Sequence, residues 1–118
     1  VAALAERYEL VPVCPEQLGG LPTPRPPSER QGDRVVTREG GDVTAQYRRG
    51  AEEALRLADL LGCEAALLKE RSPSCGSGTV YDGTFTGTLT AGDGVTAALL
   101  RAHGIPVYGE SRIEELLD

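Results

Sequence analysis

Residues 47–68 constrain the fold more than any other stretch of the chain. Tyr47, Ala51, Ala54, Leu55, Ala58 and Leu61 recur at three- and four-residue intervals, the spacing of one helical face, and Gly62 supplies the stop. Directly beyond, Ala65-Ala-Leu-Leu68 is apolar on both faces, as a strand inside a parallel sheet is. The succession repeats downstream. Gly92-Asp-Gly94 opens a helix through Val95, Ala98, Leu99 and Ala102, Gly104 closes it, and Ile105-Pro-Val-Tyr108 forms a last short strand. A third apolar run, Glu9-Leu-Val-Pro-Val13, precedes both; its Pro12 restricts it to a sheet edge or a strand end. Helices alternating with apolar strands predict an α/β fold. The expectation is one small domain, residues 1–118, with a mainly parallel sheet of strands 9–13, 65–68 and 105–108. Helices cover both faces, through right-handed crossovers.

The connections are rich in turn formers, with 15 glycines and 8 prolines among 118 residues. Residues 17–33 read as a long segment without regular structure, a kind usually functional or disordered. Arg34–Thr37 and Asp42–Thr44 flank Gly40-Gly41 and predict a small ribbon. Val80-Tyr81 and Thr84-Phe85 around Asp82-Gly83 predict a two-residue hairpin. Ser111-x-x-Glu114 is a capping-box pattern for a final helix with Ile113, Leu116 and Leu117 turned inward. At the other end, Val1, Leu4 and Ala5 share a helical face with no N-cap before them, so a helix beginning upstream is expected.

The 12 basic and 18 acidic residues leave a net charge of −6, which disfavours binding a nucleic-acid backbone. No apolar run approaches the ~20 residues that span a bilayer, so no membrane partner is expected either. Three cysteines, an odd number, argue against a disulfide framework and for a reducing compartment. Cytoplasmic residence is the expectation.

Ligands of parallel α/β sheets bind beyond the carboxyl ends of the strands. Cys14 follows strand 9–13 and Cys75 follows strand 65–68, so both can face one crevice despite their separation in sequence. Cys63 precedes strand 65–68. Four strand residues at ~3.3 Å each put it ~13 Å from that crevice, where a small buried hydrophobe is expected. Glu16 lies beside Cys14. Lys69 and Arg71 could favour a Cys75 thiolate, and Gly76-Ser-Gly78 could offer backbone donors to an anion. Soft thiolates at one site select zinc, copper(I) or iron–sulfur clusters. Two unrelated buried thiols remain the competing reading, since no Cys-x-x-Cys is present. His103 beside Gly104 reads as a helix cap, and Gly92-Asp-Gly94 as an ordinary helix opening.

Taken in order, Val11-Pro-Val-Cys14-Pro-Glu16, Gly19-Gly-Leu21, Thr23-Pro-Arg25, Asp42-Val-Thr44, Gly50-Ala51, Leu68-Lys-Glu-Arg-Ser72-Pro-Ser-Cys75-Gly76, Tyr81-Asp-Gly83 and Gly94-Val-Thr-Ala97 resemble one family. It is the family called domain of unknown function 523, which includes the thiouracil desulfurases, and the resemblance runs through nearly the whole chain. It implies a compact α/β domain holding a [4Fe–4S] cluster on three cysteines, with one iron open to substrate sulfur. Cys14 and Cys75 match two of the ligands. Glu16 and Ser72 match the polar residues implicated in proton handling, and Arg25, Ser74 and Gly76 fall at substrate-binding positions. The implied reaction removes sulfur from a thiolated nucleobase without net redox change. Family members carry the third ligand on an N-terminal strand with a Ser-Ala-Cys-Leu-Leu-Gly-like sequence, followed by Arg-Tyr-Asp-Gly. No counterpart occurs here, so that strand is expected to be absent and the cluster labile or missing. A non-catalytic module that binds a metal or a small sulfur compound is the alternative, and thiol–disulfide exchange between Cys14 and Cys75 a lesser one.

Overall fold

The long helix forms where its periodicity places it. The computed structural model of the chain describes residue 6, residues 8–23 and residues 25–117. The expected N-terminal helix falls largely on residues 1–5 and 7, which lie outside them. In order, the elements are α1 (Pro15–Leu18), β1 (Ser28–Gln31), β2 (Arg34–Thr37), α2 (Thr44–Leu60), β3 (Ala66–Leu68), β4 (Thr79–Tyr81), β5 (Leu89–Ala91), α3 (Val95–Ala102), β6 (Val107–Gly109), a 3-10 turn (Glu110–Arg112) and α4 (Ile113–Leu117). The fold is α/β, with one parallel pair, two antiparallel pairs and helices packed against them.

The start of α2 is fixed by its first side chains. The Thr44 N–H donates to Asp42 Oδ1 at 2.9 Å, while Thr44 Oγ1 accepts the Val35 N–H at 2.9 Å and ties the helix to β2. Gly62, at φ +64°, ends it. The helix buries Tyr47, Gly50, Ala51 and Ala54. Strand β3 then runs parallel to β6, with Ala66 opposite Val107 and Leu68 opposite Gly109. Helix α3 buries Thr96, Ala97 and Leu100. Leu68, Ala97, Leu100 and Val107 form one cluster of the core, with Leu55, Ala66, Cys75 and Ile105 packed on it. Cys75 thus rests directly on the sheet and α3. His103 Nδ1 lies 3.1 Å from Leu99 O at the end of α3, the cap its position predicts.

Four local expectations are corrected. Residues 9–13 form no strand: Leu10, Val11 and Val13 stay 45%, 43% and 41% exposed, so the parallel sheet has two strands, not three. Apolar composition marks a strand only where a neighbour can pair, and Pro12 removes one donor. Strand β2 takes Ser28–Gln31 as its antiparallel partner; the segment beyond Gly40-Gly41 meets it in one β-bridge, Val36 to Asp42, flanked by the Val43 N–H on Val35 O, and forms no strand of its own. Segment 17–33 thus holds strand β1 and the last two residues of α1. Next, β4 and β5 are joined by residues 82–88 rather than by a two-residue turn. Glu29 Oε1, from β1, accepts the N–H groups of Gly83 and Phe85, and Asp82 Oδ1 accepts that of Thr84, which opens the turn into a wide loop. Finally, the Ser111 N–H and hydroxyl both donate to Glu70 instead of building a capping box with Glu114.

Candidate functional site

The first half of the site is a single helical turn pressed against α2. Cys14 is the N-cap of α1, and Pro15 starts it with a preset φ and no donor to leave unsatisfied. Leu18 and Gly19 donate back to Cys14 O and Pro15 O at 3.0 and 2.9 Å. Two glycines let the backbones touch. A Cβ on Gly19 would sit 1.9 Å from Gln46 O, and one on Gly50 would sit 1.8 Å from Pro15 O. Cys14 and Glu16 therefore sit on a rigid support.

Glu16 is gripped at both oxygens. The Tyr47 hydroxyl, from α2, donates to Oε1, and Arg25 Nη2 donates to Oε2 at 3.0 Å. The same guanidinium nitrogen lies 3.7 Å from Cys14 Sγ. Arg25 Nη1 donates to Pro22 O and Thr23 Oγ1, at 3.2 and 3.0 Å, so the arginine ties together the loop that follows α1. Its proton affinity is raised, chiefly by the bond to Glu16. Burial, and then the bond to Glu16, push the Tyr47 hydroxyl far above its ordinary value, so it stays a donor.

The second half is the loop from the end of β3 to the start of α3. Ser72 Oγ accepts the N–H groups of Ser74 and Cys75 at 3.1 and 3.2 Å, and Gly76 N–H donates to Ser72 O at 2.8 Å. Gly94 packs on this loop so closely that a Cβ there would lie 2.4 Å from Ser74 O. The first N–H groups of α3 are taken by the loop: Val95 donates to Pro73 O, and Thr96 and Ala97 to Ser74 O. This confirms the opening at Gly92-Asp-Gly94 as an ordinary one, because its donors are already satisfied.

The Cys75 thiol is pushed up to about 11. Burial dominates; the bond to Ser74 and the charge of Lys69 lower it, while the charges of Glu16 and Cys14 raise it further. The charges of Glu16 and Cys14 thus reach the Cys75 thiol. The raised value corrects the expectation of a favoured thiolate, since desolvation outweighs Lys69.

Two sequence-assigned positions are displaced from the surface of the site. Ser74 is 1% exposed, and its hydroxyl pairs with Thr96 Oγ1 at 2.7 Å and lies 3.7 Å from Cys75 Sγ. Gly76 is buried with its N–H committed to Ser72, and Gly78 N–H donates to Asp93 Oδ1, so those donors are not free for an anion. Both residues shape the loop from behind. Cys63 lies at the far end of β3, its N–H bonded to Ala58 O, and is half-buried rather than buried. Sequence reasoning missed Tyr47 and Thr96 as site residues. The signal was present for Tyr47: it is the one polar-tipped side chain on a face otherwise made of Ala and Leu.

The thiols of Cys14 and Cys75 are chemically suited to iron–sulfur ligation. The set is short, however. Among the described residues, no group of three or more His, Cys, Asp or Glu is placed to hold a metal.

The profile of the 2-thiouracil desulfurase family matches residues 1–112. A curated relative, the uncharacterized protein YbbK of Bacillus subtilis (strain 168), is 42% identical over 127 residues, covering 99% of this chain and 84% of its own. A solved structure, the [4Fe-4S]-dependent thiouracil desulfidase TudS (DUF523), is 58% identical with a TM-score of 0.91, over 98% of this chain and 76% of its own.

Proposed function

The chain belongs to the 2-thiouracil desulfurase family, and from that membership we propose that it hydrolyses the thiocarbonyl of a thiolated nucleobase such as thiouracil. Water adds to the thiocarbonyl carbon, a C–O bond forms, the C–S bond breaks, and sulfur leaves as hydrosulfide. No electrons are gained or lost overall. Cys14 and Cys75 would hold iron as two of the cluster's ligands. When bound, the cluster supplies a Lewis-acidic iron for the substrate sulfur.

The remaining chemistry belongs to this chain's side chains. Glu16 takes a proton from the attacking water. Each carboxylate oxygen has two acceptor sites, so the bonds from Tyr47 and Arg25 leave room for that water. Arg25 balances the charge of Glu16 and of the neighbouring Cys14 sulfur. The oxygen of Ser72 is occupied by two backbone donors, which leaves its O–H to donate toward the substrate's oxygen or ring nitrogen. Ser74 and Gly76 fix the loop that presents Cys75, and the substrate meets their neighbours rather than their own polar atoms.

The observation that carries this reading is the double grip on Glu16 beside Cys14 and within the field of Cys75. It is tested with the protein loaded anaerobically with iron and sulfide and given 2-thiouracil in ¹⁸O-enriched water. The expected result is uracil carrying one solvent oxygen, with Glu16→Gln retaining its visible iron–sulfur absorption while losing about 10²-fold or more in kcat. A loaded wild-type protein that yields no uracil overturns the reading and leaves the binding module in its place. Full rate in Glu16→Gln removes Glu16 as the base.

A further inference from the structure

Tyr47 sits in the core by burial and in the site by chemistry. It is 1% exposed, on the face of α2 that also buries Gly50, Ala51 and Ala54. A core position of that kind needs only an apolar side chain, and a phenol buried there needs a partner for its hydroxyl. The partner is Glu16 Oε1. Arg25 holds the other oxygen, Oε2, from the opposite loop. A carboxylate held at one oxygen can still rotate about its last torsion; held at both, it has one plane and one set of free lone pairs.

We infer that Tyr47 is the positioning residue of Glu16: its hydroxyl, anchored in the core of α2, sets the plane in which the carboxylate meets the attacking water. The inference rests on Glu16 as the base in the reading above. The two holders differ in kind. Arg25 belongs to an exposed loop and makes bonds to Pro22 and Thr23 as well, so it can follow that loop. Tyr47 has two side-chain torsions and is packed on every side, so it cannot. The close approach of Gly50 to Pro15, three residues further along α2, fixes the turn of α1 relative to the same helix. Glu16 and Tyr47 thus share one rigid frame, and the Tyr47 hydroxyl is the group of α2 that bonds the carboxylate.

The test uses Tyr47→Phe, which keeps the buried ring and removes only the oxygen. In loaded protein, with rates expressed per cluster, kcat is expected to fall about tenfold while KM and the visible absorption stay unchanged. Adding Tyr47→Phe to Glu16→Gln is expected to cost nothing further, because the residue acts through the carboxylate. A readout independent of turnover comes from metal-free protein. The ultraviolet resonance Raman signature of the tyrosine that disappears in Tyr47→Phe should shift from strong donor to weak donor in Glu16→Gln. Full kcat in Tyr47→Phe, with Glu16→Gln impaired, overturns the inference and leaves the base in place. Full kcat in both overturns the base as well. An equal further loss in the double variant, or lost absorption in Tyr47→Phe, assigns Tyr47 a merely structural part and also overturns the inference.

Discussion

At the scale of single residues, the chain repeatedly uses one polar side chain to satisfy backbone groups that its loops leave open. Ser72 does so for the Cys75 loop, Glu29 for the loop at 82–88, and Asp42 at the head of α2. Asp42 has a consequence in pH. Bonds from the Thr44 side chain and backbone, and then from Arg34, hold its carboxyl down at about 2. A carboxyl depressed in the folded state adds stability that is complete above the ordinary value of ~3.9 and is lost as pH falls through the folded one. The wild-type melting temperature should therefore drop more between pH ~4 and ~2 than that of Asp42→Asn, followed by circular dichroism. Parallel pH curves for the two proteins would contradict the role given to Asp42.

At the scale of elements, the decisive contact is the crossing of α1 and α2 through paired glycines. Replacing Gly50 by alanine puts a Cβ 1.8 Å from Pro15 O, so the turn carrying Cys14 and Glu16 has to move. Gly50→Ala should cost about 1–3 kcal/mol in urea unfolding and strongly reduce cluster loading. Arg49→Ala, on the exposed side of the same helix, should stay within about 0.5 kcal/mol. The periodicity that located α2 and α3 says nothing about such a contact, because a glycine in a helix looks like a defect until the partner backbone is known. Strands β3 and β6 were legible because their apolar runs are buried and sit between helix stops. The hairpin was misread because the captor of its turn, Glu29, lies more than fifty residues away. Residues 9–13 were misread because pairing, not composition, makes a strand.

At the scale of the molecule, the Cys75 loop is supported by the cluster of Leu68, Ala97, Leu100 and Val107, and the Cys14 turn by its close contact with α2. Cys75 rests on that cluster, while Cys14 is carried by the turn of α1. The rule that ligands gather beyond strand ends singled out both cysteines and Glu16 in the sequence, but only one of the two strands it relied on exists. The rule could not show that Ser74 and Gly76 face inward, or that Tyr47 faces Glu16. Those facts depend on which neighbour each polar atom finds. Among the described residues, no helix is long and apolar enough to cross a membrane.

Whether Cys14 and Cys75 form one working site is tested most directly by replacing each cysteine with serine in turn. The variants are loaded anaerobically with iron and sulfide and followed by visible absorption and uracil release. Cys63→Ser should match the wild type in both, while Cys14→Ser and Cys75→Ser lose both. Undiminished absorption and turnover in either of those two, or their loss in Cys63→Ser, would contradict the account.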